Sequence, residues 1–334
     1  MDKPLKAAVI GVGFLGRHHA RIYHEMPGVE LAGVVDIDRK AASDLAGQYN
    51  TTPYTDHHQV LGITDLVSIA VPTVDHFQVA RDFLEAGADI LLEKPITAEL
   101  TEARELNNLA RKSGRILQVG HLEHFNPAVV ALKKYAHAPR FIEAHRMGPF
   151  VGRGTDVDVI RDLMIHDIDI ICSLVGSPVE RVSAVGVPVV SEHIDIANCR
   201  LEFANGCVAN INSSRVSLKK MRKIRLFQPD IYLSLDYAKK NLTRVSINDK
   251  QKSIVPGIPF GFTRKKTKID TAREPLKAQL ESFVACARDR NRPVVSGEEG
   301  IRALDIAIRI KEEINLNLNK GVTDGPLARI IRES

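Results

Sequence analysis

Several polar residues of the sequence have the types and spacing needed to move a proton on and off a hydroxyl group. His166 follows Asp162 by four residues, so on a helix the carboxylate could orient the imidazole. An unperturbed imidazole has a pKa of about 6.5, which suits a general base at neutral pH. Lys94, between Glu93 and Pro95, could hydrogen-bond the same oxygen and stabilise negative charge that develops on it. Lys94 could equally be a surface lysine that follows a strand.

The helix predicted over 157–174 carries a stripe of acidic and imidazole side chains. Asp158, Asp162, His166 and Asp169 fall within an arc of about 80° on such a helix, at about 100° per residue. The stripe faces either solvent or a polar site. A metal site made from Asp162, His166 and Asp169 would be short of ligands and of any Cys or His at metal spacing, so we expect no metal.

A glycine motif, Gly11-Val12-Gly13-Phe14-Leu15-Gly16, indicates a dinucleotide. It follows the first apolar run directly and opens the first predicted helix, which is the context that its mechanism needs. Gly11 permits the tight turn, Gly13 lets the backbone approach a pyrophosphate, and Gly16 allows close contact between helix and strand. The helix N-terminus then faces the phosphates with N–H groups and a positive partial charge. We expect the three glycines, Phe14 and Leu15 to contact the dinucleotide; the alternative is a glycine-rich turn that binds nothing.

Asp36 ends the second apolar run, twenty residues beyond Gly16. An acidic side chain at this place accepts hydrogen bonds from the adenine ribose diol and repels a 2′-phosphate, so NAD is favoured over NADP. Arg39 and Lys40 follow closely and could partly offset that repulsion. Asp36 or Asp38 could instead cap the next helix.

The first 120 residues alternate apolar runs with amphipathic stretches, a pattern that predicts a doubly wound parallel sheet. The predicted strands are Leu5–Ile10, Leu31–Val35, Leu66–Val71, Ile90–Leu92 and Ile116–Val119, and the predicted helices are Phe14–Met26, Arg39–Gln48, Val74–Ala86 and Glu99–Lys112. Lys94 then follows the carboxyl end of a strand, where such sheets bind ligands, and a cis bond before Pro95 would aim Lys94 into the crevice.

After residue 120 the pattern predicts an open mixed or antiparallel sheet, so that the chain combines α/β and α+β classes. Strand-like runs lie between 180 and 247, among them Arg181–Val190, Asp195–Phe203, Cys207–Asn212 and Ile231–Leu235. Two closing helices, Pro275–Arg288 and Glu298–Leu316, could pack on either domain. We therefore expect a Rossmann domain over 1–121 and a second domain over 122–334.

Length and composition describe a folded protein of about two domains, because 334 residues exceed the roughly 150 of an average domain. A net charge of +5 is too small to indicate nucleic acid. No run approaches the roughly 18 apolar residues of a membrane span, and no signal-peptide core follows Met1, so we expect a cytoplasmic protein without a membrane partner. Cys172, Cys199, Cys207 and Cys286 are scattered, which predicts reduced structural thiols.

The ordered combination of motifs resembles the Gfo/Idh/MocA oxidoreductases over residues 5 to about 315. The matching motifs are the glycine motif, Asp36, Val71-Pro72-Thr73 with His76, Glu93-Lys94-Pro95 and Asp162-x-x-x-His166. The resemblance implies an NAD-binding Rossmann domain and a substrate-binding domain whose large open sheet also mediates assembly into a homodimer or homotetramer. It implies Lys94, Asp162 and His166 as the catalytic set, with Pro72, Thr73, His76, Glu93 and Lys94 near the cofactor.

Within that family, the segments 121–128 and 153–156 resemble members that oxidise UDP-N-acetylglucosamine at C3. Segments 120–128 and 146–161 join the cofactor domain to the predicted catalytic helix, so they would line the substrate cleft, although their polar residues could equally be contacts at the domain crossover. The expected substrate-binding residues are His121, Phe125, Asn126, Arg153, Arg161, Asp162 and His166. Arg146, Arg153 and Arg161 could grip a diphosphate bidentately.

Two basic runs have several possible explanations. One comprises Arg215, Lys219, Lys220, Arg222, Lys223 and Arg225, and the other Arg264, Lys265, Lys266 and Lys268. They could be solvated loop edges or lysine-protected edge strands, or they could bind a nucleotide-sugar pyrophosphate. A nucleic-acid partner is not expected, because no aromatic stacking pattern or recognition helix accompanies the charge.

Two classes of function follow from these observations. The first is an enzyme that moves hydride between NAD and a hydroxyl-bearing ring carbon of a sugar or nucleotide sugar, with inositols or free sugars as alternative substrates. The second is a module that binds a dinucleotide without turnover. The joint presence of Lys94, Asp162 and His166 argues against the second, because dinucleotide binding needs none of them.

Overall fold

Six parallel strands form the first sheet of the structure, a computed structural model that describes residues 3–150, 157–248, 261–270 and 272–321. The strands are β1 (Leu5–Ile10), β2 (Val29–Val35), β3 (Thr52–Tyr54), β4 (Leu66–Ile69), β5 (Asp89–Leu92) and β6 (Leu117–Val119). All four residues of β4 and of β5 are buried, as expected for strands covered on both faces. The order β3-β2-β1-β4-β5-β6 reverses direction between β1 and β4, so the ligand-binding crevice of such a sheet lies at their carboxyl ends.

Helices of the first unit connect these strands. They are α1 (Gly16–Glu25), α2 (Arg39–Tyr49), α3 (His76–Glu85) and α4 (Leu100–Ser113), with 3-10 turns at His57–Val60, Thr73–Asp75 and Leu122–Phe125. A later helix, α7 (Pro275–Asp289), also packs here, because its Leu280 and Phe283 are completely buried in one cluster with Val9 and Tyr23.

Eight strands form a second, mixed sheet. They are β7 (Phe141–Met147), β8 (Val179–Val187), β9 (Ile196–Phe203), β10 (Val208–Ser214), β11 (Met221–Phe227), β12 (Ile231–Asp236), β13 (Asn241–Asn248) and β14 (Gly261–Lys268), in the order β14-β13-β12-β11-β7-β10-β9-β8. β7 and β10 are parallel, whereas the other neighbouring pairs are antiparallel.

The core of the second unit covers one face of this sheet. Alternate residues of β7 are buried, as the period of a half-buried strand requires. Two of them, Ile142 and Ala144, join a cluster with residues of α5 (Pro127–Lys133), α6 (Ile165–Val175) and the later part of α8 (Gly297–Gly321), such as Val129, Ile168 and Ile310.

The fold class predicted from the sequence is confirmed: a doubly wound parallel sheet is followed by a mixed sheet. The short strand β3 was not predicted, and β7 and β14 lie outside the region 180–247 in which the second set of strands was expected. Half of the first basic run lies in the internal strand β11 and the other half precedes it, whereas the second run lies in the edge strand β14. The edge position of β14 agrees with lysine protection of an edge.

The compact units of the structure do not follow one chain break. The first unit comprises residues 1–125 and 273–304, and the second comprises 126–272 and 305–334. The difference from a simple 1–121 and 122–334 division arises because α7 and the first turns of α8 return to the first unit. Both closing helices were predicted, but their apolar spacing did not say which sheet they cover.

The four cysteines are free and buried, as the sequence predicts. Burial raises the pKa of the Cys207 thiol to about 11, so this side chain is an unreactive thiol at neutral pH. In the described parts of the chain, no helix is long and apolar enough to cross a membrane.

Candidate active site

The glycine motif forms the turn between β1 and α1. Gly11 has φ +83°, and a Cβ added there would lie 2.6 Å from the Ala70 carbonyl oxygen. A Cβ at Gly16 would clash with the Gly11 carbonyl oxygen, so only glycine lets the helix start this close to the strand. A Cβ at Gly13, by contrast, would meet no heavy atom within 4 Å. Gly13 therefore leaves an open cradle, and no side chain caps α1, which together fit a bound pyrophosphate.

This contrast separates a binding glycine from a packing glycine. We expect Gly13→Ala to leave the melting temperature nearly unchanged and to weaken NAD binding about tenfold or more, because the methyl group fills the cradle. Gly16→Ala should instead lower stability by about 1–3 kcal/mol, since helix and strand must move apart. Thermal melts and NAD titrations of both variants check this, and equal losses of stability would contradict it.

Asp36 lies beside the glycine turn. Its Oδ2 accepts a hydrogen bond from the Val12 N–H at 2.8 Å, and its Oδ1 accepts one from the Asp38 N–H at 2.9 Å. The helix-capping role that the sequence left open belongs to Asp38, whose carboxylate accepts from the Lys40 and Ala41 N–H groups. Each Asp36 oxygen keeps a lone pair, so the carboxylate fits a ribose diol.

Replacing Asp36 by alanine should weaken NAD binding and relax the preference for NAD over NADP. The carboxylate would no longer accept from the ribose hydroxyls or repel a 2′-phosphate. Titration of wild type and variant with both dinucleotides measures the preference. Tighter binding of NADP than NAD by the wild type would overturn the assignment.

Two exposed apolar side chains lie close in sequence to the glycine turn and Asp36, and only one of them was predicted to contact the dinucleotide. Phe14 is 68% exposed and Ile37 is 96% exposed. Ile37, directly after Asp36, was missed; its signal was an isoleucine among the polar residues that follow β2. Both could cover the apolar faces of a dinucleotide.

Lys94 follows β5 at the carboxyl edge of the same sheet, and it is half-buried. The Lys94–Pro95 peptide bond is cis, as expected from the sequence. His76 braces this turn: its Nδ1 lies 2.8 Å from the Pro95 carbonyl oxygen and its Nε2 lies 3.1 Å from the Val71 carbonyl oxygen. Burial lowers the pKa of His76, and a neutral imidazole has a single N–H, so His76 donates to one of these two carbonyl oxygens at a time. His76 therefore positions Lys94, while Pro72 is exposed and Thr73 half-buried beside it.

Glu93 has a buried partner that sequence reasoning missed. The Nε2 atom of His19, a completely buried residue of α1, lies 3.4 Å from Glu93 Oε1. A Cβ added to Gly120 would lie 2.6 Å from Glu93 Oε2, so Gly120 makes room for the carboxylate. The second histidine of the His18-His19 pair was the available signal, because it falls on the sheet-facing side of α1.

The predicted helix over 157–174 is not a continuous α-helix. Ile160–Met164 form a π-helical turn in which the Ile165 N–H donates to the Ile160 carbonyl, and α6 comes directly after it. A π turn holds an extra residue and rotates the residues before it relative to those after it. Asp162 and His166 are half-buried, whereas Asp158 and Asp169 are buried, so the predicted single polar stripe is wrong.

Asp158 is explained by structural contacts. Its Oδ1 accepts from the Arg161 backbone N–H at 2.9 Å, and its Oδ2 lies 3.2 Å from Lys311 Nζ. Asp162 and His166 remain as the accessible acid and imidazole of this helix. They belong to the second unit, and Lys94 belongs to the first.

Of the three arginines expected to bind phosphate, the structure corrects one, Arg146. Arg146 Nε and Nη2 donate to Asp167 at 2.8 and 2.9 Å in a buried bidentate pair, so this fork is not offered to a phosphate. Arg161 is half-buried, and Arg153 lies outside the described residues.

The expected substrate residues of segment 121–128 have varied surroundings. Asn126 Oδ1 accepts from the Ala128 N–H at 3.0 Å and caps α5. His121 is 1% exposed and Phe125 is half-buried, both in the first unit. Their substrate contacts stay predictions of the sequence.

Asp56, His57 and His58 bring possible metal-ligand atoms within 4.8 Å of one another. Their contacts have a structural explanation. Asp56 caps a 3-10 turn, and His57 Nε2 lies 2.9 Å from Asp82 Oδ2. This surface cluster shares no residue with the candidate active site.

Two family models match the chain. Residues 5–121 match the model described as an oxidoreductase family with an NAD-binding Rossmann fold, and residues 137–228 match the GFO/IDH/MocA C-terminal domain. A UDP-N-acetylglucosamine 3-dehydrogenase of Acidithiobacillus ferrooxidans is 36% identical over 319 residues, which cover 95% of this chain and 99% of that protein. A crystal form of that bacterium's enzyme superimposes with a TM-score of 0.87 at 35% identity, covering 94% and 98% of the two chains. The scyllo-inositol 2-dehydrogenase (NAD(+)) of Bacillus subtilis is 27% identical, covering 92% and 93%.

Proposed function

The chain belongs to the Gfo/Idh/MocA family of NAD-binding oxidoreductases, and from that premise we propose that it oxidises the C3 hydroxyl of UDP-N-acetylglucosamine. Family membership makes it an NAD-dependent dehydrogenase, so the module without turnover is set aside. The observation that supports this substrate is the 36% identity to a UDP-N-acetylglucosamine 3-dehydrogenase over 95% of the chain. That similarity extends through both the cofactor domain and the substrate domain.

The proposed division of labour follows from the side chains at hand. The glycine turn and Asp36 would hold NAD, which supplies the hydride acceptor when bound. His166 would take the proton of the substrate hydroxyl, and Lys94 would donate a hydrogen bond to the same oxygen as negative charge develops on it. Asp162 would orient His166 or a neighbouring hydroxyl. His76 is a positioning residue in this scheme, because it holds the turn that carries Lys94.

Inositol oxidation is the second candidate, because inositol dehydrogenases are also relatives at 26–32% identity. An inositol ring offers hydroxyls to Asp162 and His166 but carries no phosphate. The two candidates therefore differ in whether the site needs an anionic group. A homodimer or homotetramer, which the family resemblance implies, stays a prediction.

The substrate test compares kcat/KM for UDP-N-acetylglucosamine, N-acetylglucosamine and myo-inositol, from the absorbance of reduced nicotinamide. We expect at least about a tenfold advantage for the nucleotide sugar, because hydrogen bonds between charged groups contribute about 1.5–3 kcal/mol. Loss of the H3 signal in the product's proton NMR spectrum would identify the oxidised carbon. Equal or greater activity on the uncharged compounds would overturn the proposal.

A further inference from the structure

A cavity of about 380 Å³ in the second unit joins part of the basic run to the candidate catalytic helix. Its lining includes Asp162 and four cationic side chains, Arg146, Arg215, Lys220 and Arg222. We propose that Lys220 and Arg222 form the subsite that binds the diphosphate of the substrate. This inference rests on the proposed function, which it extends by naming the groups that recognise a nucleoside diphosphate.

Two of the four cations are already neutralised inside the protein. Arg146 is held by Asp167 in the buried bidentate pair described above. Arg215 Nε donates to Asp195 Oδ1 at 2.7 Å, and its Nη1 and Nη2 donate to the Val157 carbonyl and Ser191 Oγ. Burial would raise the pKa of Asp195, but backbone N–H groups of residues 189–191 and Arg215 outweigh it and hold that pKa low. Both arginines therefore shape the cavity wall rather than offer charge to a ligand.

The other two cations differ from this pair in their surroundings. Within the described ranges, neither Lys220 nor Arg222 forms an ion pair with an acidic side chain. Two other members of the run do: Lys223 Nζ lies 3.6 Å from Asp236 Oδ2, and Arg225 Nη1 lies 3.1 Å from Glu143 Oε2. Lys220 and Arg222 thus bring positive charge without an acidic partner to the cavity, whereas Lys219 of the same run is not in its lining.

The strand register brings like charges together at this wall. Arg222 of β11 lies directly opposite Arg146 of β7, so both side chains leave the same face of the sheet. Asp167 already neutralises Arg146, so Arg222 is the cation at this position whose charge a bound anion would balance.

The chemistry of the lining also orients the ligand. Arg222 offers a planar fork that matches phosphate oxygens, and Lys220 offers a mobile ammonium. Asp162 repels phosphate but accepts hydrogen bonds from hydroxyls. The diphosphate therefore lies toward Lys220 and Arg222, and the sugar lies toward Asp162 and the helix that carries His166. An uncharged inositol would use only the second half.

The test titrates UDP into the full-length protein with NAD present at saturation, so that the glycine turn is filled. We expect Lys220→Ala and Arg222→Ala each to raise the UDP Kd about tenfold or more, and the KM for UDP-N-acetylglucosamine similarly, with kcat little changed. Lys219→Ala is the matched control, because Lys219 carries the same charge on the neighbouring residue but is absent from the cavity lining. Melting temperatures should not fall, since Lys220 is exposed and neither Lys220 nor Arg222 has an ion pair to lose within the described residues.

The outcomes separate the two proposals. If the wild type oxidises UDP-N-acetylglucosamine while both variants keep its UDP Kd and KM, the subsite is overturned and the proposed function stands. If no nucleotide sugar is oxidised but the variants lose UDP binding that Lys219→Ala retains, the proposed substrate fails and the diphosphate subsite stands. The subsite would also be overturned if the wild-type protein bound no UDP and neither variant changed the KM for UDP-N-acetylglucosamine.

Discussion

His166→Ala and Lys94→Ala are each expected to lower kcat by about a hundredfold or more while NAD affinity changes only a few-fold. General acid–base catalysis contributes about 10²–10⁴-fold, and these side chains are proposed to act on the hydroxyl proton and its oxygen. Neither group is needed by the phosphates, which the glycine turn and the N-terminus of α1 would bind. The measurements are kcat on the identified substrate and the Kd of NAD for each variant.

His137→Ala is a suitable control for the histidine variant. His137 is exposed, lies 3.3 Å from Asp230 through its Nε2 atom, and has no part in the proposed site. It should retain wild-type kcat. Near-wild-type turnover by Lys94→Ala or His166→Ala would remove that residue from the catalytic set, and a comparable loss of NAD affinity would indicate a structural rather than a catalytic role.

The cofactor half of the molecule could be predicted largely from sequence because its signals are local. The roles of Gly11, Gly13 and Gly16 depend on the turn between one strand and the helix that follows it, so the local sequence is enough to predict them. The alternation of strands and helices likewise predicts a parallel sheet. The sequence also offered Asp36 or Asp38 as the cap of the next helix, and the structure shows that the cap is Asp38. The contacts of His76 with the Pro95 and Val71 carbonyl groups could be identified only from the structure, because these groups follow two different strands.

The substrate domain was harder to predict because the roles of its charged residues depend on pairing across the sheet. Arg146 and Asp167 are 21 residues apart, and nothing local shows that they form a buried pair. The basic run looks like solvated charge until the register places Arg222 opposite Arg146 and separates it from Lys223 and Arg225, which have acidic partners. The π turn before α6 also has no simple sequence signal. Because it rotates the residues before it relative to those after it, the four polar residues do not share one arc of a regular α-helix.

Arg146→Leu should lower the free energy of unfolding by about 3–5 kcal/mol, because it leaves the Asp167 carboxylate buried without its partner. Both side chains of the pair are 4% exposed, so water cannot take over the lost hydrogen bonds. Urea denaturation followed by circular dichroism measures the loss. Arg225→Leu is the control on the same sheet: its pair with Glu143 has side chains 39% and 30% exposed, so about 0–1 kcal/mol is expected.

A double-mutant cycle decides what the buried pair does. Replacing a buried ion pair by apolar residues of similar volume is often close to neutral, so Arg146→Leu with Asp167→Leu should regain most of the stability lost in either single variant. Such recovery would mean that the pair fixes the cavity wall opposite Arg222 rather than supplying net stability. The double variant should then raise the KM for the nucleotide sugar even though it folds, because the wall against which Arg222 is placed has lost its shape. Additive losses in the cycle, or a single-variant loss near that of Arg225→Leu, would contradict the buried-pair assignment.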